Sequence, residues 1–235
     1  MILQKQPRLN LNKIDNTGAL DENAKVVLKQ YLLIEKDYRY ALREMSAKLE
    51  NLDDYCQLTF LHNPIHHMES RIKTTSSIIE KIYRRGYEMN MDSLYEYIYD
   101  IAGIRVICNY ISDIYRIIDL LNEQKDLTVR LEKNYIINPK DSGYRSYHVV
   151  FEVEMYIDRQ IKKVPVEIQF RTMAMDMWAS LEHEIRYKSN QEPTPSIIER
   201  LKKYSDDLYQ VDLNMQKIFD ELKENNKNDW LWWAL

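Results

Sequence analysis

Two short stretches near the middle of this chain constrain its fold more than any other feature, because apolar residues recur in both with a period of two, interrupted in the first by Val150. They are SYHVVFEVEMY at 146–156 and VPVEIQF at 164–170. This alternation is typical of β-strands with one buried face. The short separation predicts a hairpin joined near Asp158 to Lys163. A sheet is therefore expected in the centre of the chain.

Amphipathic helices are predicted on both sides of this hairpin. Apolar residues recur every three or four positions from Val27 to Leu52, and again from Ile197 to Leu222 in a coiled-coil-type spacing. Thr194 and Pro195 are suited to cap and begin the last helix. Shorter helices are predicted over His66–Arg85, from a cap at Asp92 or Ser93 to Tyr99, after a cap at Ser112, and over Met173–Lys188.

Two further runs, IAGIRVIC at 101–108 and LTVRL at 127–131, are β-branched and short, and are predicted as strands. The length of 235 residues suits one core with helical flanks. We divide the chain into an N-terminal helical extension (1–60), a core (61–190) and a C-terminal helical extension (191–235).

Composition excludes several classes of function. The net charge of −4 is unlike that of a protein binding duplex DNA, so any anion site must be local. No apolar run is long enough to cross a membrane, and the first ten residues lack the core of a signal peptide. Cys56 and Cys108 provide no disulfide framework, which favours a reducing compartment. We therefore expect a cytoplasmic protein with neither DNA nor membrane as a partner.

A row of cations is the first motif with chemical content. On a helix, Lys73, Ser77 and Lys81 share one face, and Arg84 and Arg85 follow one turn later. This pattern is either a solvated basic face or a cradle for a polyphosphate. The absence of GxxxxGK[ST] from the sequence excludes a Walker-type phosphate loop.

Acidic and polar residues interrupt the predicted strands at three places. Asp100 precedes the strand that contains Arg105, and Glu167 lies mid-strand on the polar face with Gln169. Each charge could pair at a sheet surface, but a carboxylate could also bind a hard cation and a guanidinium could stack on a base. Around Gly143, the period of two places Tyr144, Ser146 and His148 on one face, suited either to solvent or to a nucleobase.

Three histidines and an acid lie close together in HNPIHHMES, namely His62, His66, His67 and Glu69. A zinc site would need a second defined ligand pair, which the sequence lacks. Capping or surface roles are favoured for these histidines.

Four blocks in order resemble one family, the RelA/SpoT-type (p)ppGpp synthetases, and within it the single-domain small alarmone synthetases. The blocks are RIKTTSSIIEK, DIAGIRVIC, PKDSGYRSYH and EIQFRTMAMDMWASLEHEIRYK, and the resemblance covers about residues 63–188. It implies an α+β fold, with a mixed β-sheet flanked by helices in a nucleotidyltransferase-like synthetase core. It also implies transfer of pyrophosphate from ATP to the 3′-hydroxyl of GTP or GDP, with AMP released, in the stringent response.

The resemblance also implies roles for individual residues. The ATP-binding residues would be Arg71 and Arg105, which sandwich the adenine, and the phosphate-binding Lys73, Ser77, Lys81 and Arg84. The residues that bind GTP or GDP would be Tyr144, stacked on guanine, Asp176, at the guanine edge, and Lys140, Arg145, His148 and Gln169. Asp100 and Glu167 would be catalytic and bind Mg2+, and Glu167 would also accept the proton of the attacking hydroxyl.

Some features of the sequence leave alternatives open. The segment RLEKNYI lacks the charge signature that long family members carry before the glycine turn, so the acceptor could be GDP or GTP. Two other functions remain, a non-catalytic nucleotide- or RNA-binding module and a nucleotidyltransferase acting on another acceptor. Regulation by RNA is also possible. The resemblance further implies a homo-oligomer, with a tetramer expected, and its interface could lie along Ile197–Leu222 unless that helix packs on Val27–Leu52.

Overall fold

The computed structural model describes residues 22–60, 62–188 and 194–225. The prediction that the chain has no signal peptide concerns its first residues, which lie outside these ranges. The helices are α1 (Glu22–Thr59), α2 (Thr75–Arg85), α3 (Met91–Tyr97), α4 (Ile111–Asn122), α5 (Met173–Lys188) and α6 (Pro195–Asn225). The strands are β1 (Ile65–Ile72), β2 (Ala102–Cys108), β3 (Leu127–Asn134), β4 (Tyr147–Ile157) and β5 (Gln160–Thr172).

The five strands form one mixed sheet in the order β1-β2-β5-β4-β3. Only β2 and β5 are parallel, and the other neighbouring pairs are antiparallel. The predicted α+β fold is therefore confirmed. The predicted hairpin is also present, as β4 and β5 meet at Asp158 and Arg159, two residues with positive φ that form the tight turn.

One face of the sheet carries the hydrophobic core. Val149 and Phe151 of β4 and Val166 and Ile168 of β5 are buried in one cluster with apolar residues of α1 and α4. The alternation of side chains along the strands sends the intervening residues to the opposite face. That second face is where the polar side chains of the central strands collect.

The prediction of a single helix over His66–Arg85 is wrong. Residues Ile65–Ile72 form β1, which pairs antiparallel with β2, and α2 starts only at Thr75. Thr74 accepts a hydrogen bond from the Ser77 backbone N–H and so caps α2. This segment is a strand because its backbone pairs with β2, and the local sequence pattern gives no indication of that pairing.

Two predicted helix caps were also placed too late. Asn90 caps α3, its side chain accepting from the Ser93 backbone N–H at 2.8 Å, and the helix ends at Tyr97 rather than Tyr99. In α4 the carboxylate of Asp113 accepts from the Tyr110 backbone N–H at 3.1 Å, so the helix begins before Ser112.

The last helix packs against α4 and α5. The side of α6 that faces the rest of the chain carries Ser205, Tyr209, Asp212, Gln216 and Phe219. The predicted apolar series lies mostly on the other side, where Val211 and Met215 are about half exposed at 53% and 49%. We call the exposed residues Tyr204, Val211, Met215, Ile218 and Leu222 the α6 stripe. Among the described residues, no helix has the length and apolar character needed to cross a bilayer.

Candidate active site

A cavity of about 740 Å³ lies on the polar face of the sheet. Cationic side chains outnumber acidic ones in its lining by nine to four, so the charge of the cavity favours an anionic ligand although the net charge of the chain is negative. It brings together most of the site residues predicted from the sequence, namely Arg71, Lys73, Lys81, Arg84, Asp100, Arg105, Lys140, Tyr144, His148, Glu167 and Gln169.

Strand register explains why residues distant in sequence meet in this cavity. One cross-strand row runs through Arg105, Gln169, His148 and Lys133, on β2, β5, β4 and β3. The next row on the same face runs through Arg71, Gly103, Glu167, Val150 and Leu131. Gly103 places no side chain between Arg71 and Glu167, so the floor of the cavity is open there.

Asp100 lies between two lysines at one side of the cavity. Its Oδ2 accepts from Lys73 Nζ at 2.9 Å and its Oδ1 from Lys81 Nζ at 2.8 Å. Burial by itself would raise the pKa of Asp100, but the charges and hydrogen bonds of the two lysines outweigh it, so the pKa is lowered from its ordinary value. The carboxylate is therefore ionised at neutral pH.

Glu167 is held by neighbours on two strands. Its Oε1 lies 3.1 Å from His148 Nδ1, and its Oε2 accepts from Gln169 Nε2 at 2.8 Å. Burial and the nearby charge of Asp100 raise the pKa of Glu167, whereas His148 and Gln169 lower it, and the net direction is downward. Both carboxylates of the cavity are thus available as anions.

Arg171 is a central residue of the site that the sequence analysis did not single out. It is only 6% exposed, and its guanidinium donates to Asp176 at 2.9 Å, to the Tyr144 hydroxyl at 2.8 Å and to Gln169 Oε1 at 3.1 Å. The period-two pattern that places Glu167 and Gln169 on the polar face of β5 extends to Arg171, so this signal was available.

Lys133 and Tyr135 also line the cavity without having been predicted to do so. The ammonium of Lys140 lies 4.8 Å from the ring centre of Tyr135 and 4.6 Å from that of Tyr144. Burial lowers the pKa of Lys140, and the neighbouring cations Lys133 and Arg171 lower it further. This crowding of positive charge favours an anionic ligand.

A group of tyrosines completes the rim of the cavity. Tyr87 and Tyr97 are stacked with ring centres 4.3 Å apart, and Tyr99 lies nearby beneath the guanidinium of Arg130. These tyrosines were not predicted as site residues, because they lie at or just beyond the ends of α2 and α3, where no helical periodicity indicates them.

Three predicted site residues are not in the cavity lining. The Ser77 hydroxyl accepts from Thr74 Oγ1 at 2.8 Å in the first turn of α2. Asp176 is paired with Arg171 and lies 3.3 Å from Arg105. Arg145 points away from the cavity and donates to the Ile136 carbonyl and to Asp206.

Ser146 does not share a face with Tyr144 and His148 as predicted. Its hydroxyl is fully buried and donates to the Phe170 carbonyl at 3.0 Å. The reason is that β4 begins only at Tyr147, so the regular alternation does not extend back through Ser146. The Tyr144 hydroxyl nevertheless lies 2.9 Å from His148 Nε2.

The donor set of the cavity fits a hard divalent cation bound together with phosphates. Within the described residues no group of three or more His, Cys, Asp or Glu side chains is arranged to hold a metal. Mg2+, however, is commonly bound through one or two carboxylates plus substrate phosphate oxygens. Asp100 and Glu167, both ionised and in the same cavity, meet that requirement.

The predicted histidine cluster is divided in the structure. His62 Nε2 lies 3.0 Å from the buried carboxylate of Asp113, and its ring packs edge-on against Phe219. His66 and His67 lie on the exposed part of β1, with their Nδ1 atoms 2.8 Å apart.

Comparison with protein families finds one matching family model, described as the region found in RelA / SpoT proteins, over residues 70–192. Two similar relatives come from Bacillus subtilis. The GTP pyrophosphokinase YwaC is 39% identical over 185 residues, which cover 79% of this chain and 88% of YwaC. The GTP pyrophosphokinase YjbM is 34% identical over 196 residues, which cover 83% of this chain and 92% of YjbM.

Solved structures give the same picture for the fold. Small alarmone synthetase 1 from Bacillus subtilis, bound to its product pppGpp, superposes with a TM-score of 0.75 at 34% identity, covering 82% of this chain and 98% of that one. The same protein bound to AMPCPP gives a TM-score of 0.70 at 31% identity, with 83% and 99% covered.

Proposed function

Since this chain belongs to the RelA/SpoT family of (p)ppGpp synthetases, as one of its small alarmone synthetases, we propose that it is a GTP pyrophosphokinase. It transfers the β,γ-pyrophosphate of ATP to the 3′-hydroxyl of GTP or GDP and releases AMP. Relatives that carry this name match most of the chain and are themselves covered over most of their length.

One observation carries the proposal at the level of chemistry. Two ionised carboxylates, Asp100 and Glu167, lie in the same cavity as a surplus of cations. A module that only bound anionic nucleotides would gain nothing from these carboxylates, whereas phosphoryl-type transfer uses both charge types. The rim tyrosines and Tyr144 offer surfaces for the bases.

We assign ATP to the side of the cavity formed by β1 and α2. Lys73, Lys81 and Arg84 provide a row of cations for the triphosphate, and Ser77 lies in the same helix, α2. Arg71 and Arg105 lie on the adjacent strands β1 and β2 in neighbouring rows, and their guanidinium planes are suited to hold the adenine between them. The pairing of Lys73 and Lys81 with Asp100 would be shared with the phosphates in the complex.

We assign the guanine nucleotide to the opposite side, near the turn before β4. Tyr144 would stack on the base, and the Asp176 carboxylate would accept from the guanine N–H groups. Arg171 holds both of these residues and so fixes their relative position. Lys140, His148 and Gln169 would complete the acceptor site.

The transfer itself follows from this arrangement. The 3′-oxygen attacks the β-phosphorus of ATP, the bond from that phosphorus to the α,β-bridging oxygen breaks, and AMP departs with the bridging oxygen. Glu167 accepts the proton of the attacking hydroxyl, and His148 and Gln169 orient its carboxylate for that role. Asp100 and Glu167 would hold Mg2+, which when bound neutralises phosphate charge.

A nucleotide assay tests this function directly. Protein incubated with Mg2+, ATP and either GTP or GDP should form a guanosine product bearing a 3′-pyrophosphate, with AMP released one for one. Release of pyrophosphate instead of AMP would indicate a nucleotidyltransferase. If the product formed with neither GTP nor GDP, the proposal would be contradicted.

We further propose that the chain forms a homo-oligomer, and specifically a tetramer, through the α6 stripe. All five residues in the stripe are about half exposed, with Leu222 at 56% and Ile218 at 51%. The opposite side of α6 is already used for packing within the chain. A contiguous exposed apolar row on a long helix is the pattern expected of a helix-to-helix interface.

A cytoplasmic location is proposed from the cysteines and the substrates. Cys56 and Cys108 are both free and buried, which suits a reducing compartment, and ATP and GTP are available there. Fractionation of cells with an antibody to the protein would test this location.

A further inference from the structure

The turn at residues 139–146, which carries Lys140 and Tyr144 into the cavity, rests on α6 on its outer side. Gly143 in this turn has φ of 91°, a conformation that favours glycine. A Cβ added there would lie 3.0 Å from both Lys202 Cα and Ser205 Cβ. The turn is therefore in close contact with the helix backbone.

Two polar contacts join this turn to α6. Ser205, 4% exposed, donates from its hydroxyl to the Gly143 carbonyl at 2.5 Å. Arg145 donates from Nη2 to Asp206 Oδ1 at 2.8 Å, and its guanidinium lies 4.1 Å from the ring centre of Tyr209. The other nitrogen, Nη1, donates to the Ile136 carbonyl at 2.6 Å, at the other end of the same connection.

The same helix also contacts the second wall of the proposed acceptor site. Trp178 on α5 donates from Nε1 to the Leu201 carbonyl at 2.9 Å. Thr172, at the end of β5, donates to the Asp212 carboxylate at 2.6 Å. Asp176, proposed to read the guanine edge, lies between these two anchor points in the sequence. Both sides of the acceptor site are thus attached to one helix.

We propose that α6 positions the acceptor-binding turn, and that Arg145, Ser205 and Asp206 are positioning residues for the guanine nucleotide. Arg145 acts through the turn and does not touch the nucleotide, in contrast to the role expected for it from sequence resemblance. Holding the turn in its bound form before the nucleotide arrives reduces the ordering cost of binding. This inference rests on the proposed function, since it takes the cavity beside Lys140 and Tyr144 as the acceptor site.

Measuring the Kd for each nucleotide separately distinguishes a positioning role at the acceptor site from a loss of structure that would weaken binding of both nucleotides. The variants are Ser205→Ala and Asp206→Asn, and Asp207→Asn is the matched control, since Asp207 is the exposed neighbour of Asp206. Calorimetry with GDP should show a Kd raised about three- to tenfold in the two variants, because Ser205→Ala removes one hydrogen bond and Asp206→Asn removes the charge that strengthens another. The Kd for AMPCPP should stay within about twofold, because the ATP side does not contact α6 through these residues.

A double-mutant cycle then decides how Arg145 acts. If Arg145 works through Asp206 and the turn, Arg145→Gln combined with Asp206→Asn should weaken GDP binding about as much as the stronger single variant. If Arg145 contacts the nucleotide directly, the two effects should multiply, and the proposal is overturned. Thermal melting of each variant confirms that the fold is retained.

The outcomes also separate this inference from the proposed function. A parent chain that forms the 3′-pyrophosphate product and binds GDP, while Ser205→Ala and Asp206→Asn bind GDP unchanged, overturns the positioning role alone. Equal loss of GDP and AMPCPP binding in these variants does the same. A parent chain that binds neither nucleotide overturns both.

Discussion

Replacing Glu167 by glutamine is the most direct test of the proposed chemistry. The two side chains have nearly the same shape, and both partners of the carboxylate can be retained in part. Gln169 Nε2 can still donate to the amide oxygen of the new side chain, and the new NH2 group can donate to His148 Nδ1 when the imidazole carries its proton on Nε2. We therefore expect Glu167→Gln to fold, with a melting temperature close to that of the parent chain.

Turnover should nevertheless fall by at least a factor of about 10², because general base catalysis is typically worth 10²–10⁴. The rate loss that comes from removing the base alone should lie in the lower part of this range, because the lowered pKa of Glu167 makes its carboxylate a weaker base than a free glutamate. Loss of the negative charge that is proposed to hold Mg2+ adds to the effect.

Asp100→Asn provides the comparison within the same site. This change removes the counter-ion of both Lys73 and Lys81, which leaves two ammonium groups without their shared partner. We expect a severe loss of turnover and a lower melting temperature than for Glu167→Gln. Excess Mg2+ should rescue Asp100→Asn more readily, because Asp100 is proposed to bind the metal without accepting a proton.

The assay is AMP and 3′-pyrophosphate formation by folded protein, with melting and ATP binding measured first. Glu154→Gln is the matched control, since Glu154 lies in the same sheet, paired with Lys163 near the surface and outside the cavity lining. It should retain turnover. If Glu167→Gln retained more than about a tenth of the parent rate, a smaller loss than removal of a base usually causes, Glu167 would not be the catalytic base.

Tyr144→Ala should raise the KM for the guanine acceptor about five- to hundredfold with less effect on ATP, because a lost base stack is worth about 1–3 kcal/mol. Arg105→Ala should show the opposite bias in steady-state kinetics, and equal effects of both variants on both nucleotides would refute the two-sided assignment. The pKa values of Asp100 and Glu167 are lowered in the folded chain, so their ionised forms stabilise the fold at any pH above the ordinary pKa values of these groups. This stabilisation is lost only as the pH falls through the lowered pKa values. The acid limb of kcat/KM should therefore lie below about pH 4.5, and a limb near pH 6 that disappears in Glu167→Gln would contradict these shifts. Met215→Lys should dissociate the oligomer in light scattering at micromolar concentration, whereas a monomeric parent chain would disprove the oligomer itself.

Several elements of the fold were decided by local pattern. The alternation in β5 and in most of β4 and the three-and-four spacing in α1 and α6 each favour one kind of element, which was enough to predict strands and helices there, although it did not show that the apolar series of α6 is largely exposed. The four motif blocks also kept their order, which was enough to indicate the family that the comparisons establish. Such signals need no knowledge of distant contacts.

The elements that were wrongly predicted depend on distant contacts. The segment Ile65–Ile72 has no strong alternation of its own and becomes a strand because β2 offers it a ladder of backbone hydrogen bonds. Ser146 could not be placed on a face without knowing that β4 begins at Tyr147. Arg145 was expected in the cavity, but it donates to α6, more than fifty residues further along the chain.

The sequence by itself determined which residue types could carry the chemistry, because the charged and aromatic residues of the motif blocks stand out from the apolar periodicity. Only the tertiary structure decided which of them meet. The cross-strand row of Arg105, Gln169, His148 and Lys133 exists because one register aligns four strands, and a slip by one residue in any strand would turn its member to the other face. Register is fixed by the packing of the buried face and not by local propensity, so the composition of the cavity follows from the core beneath it.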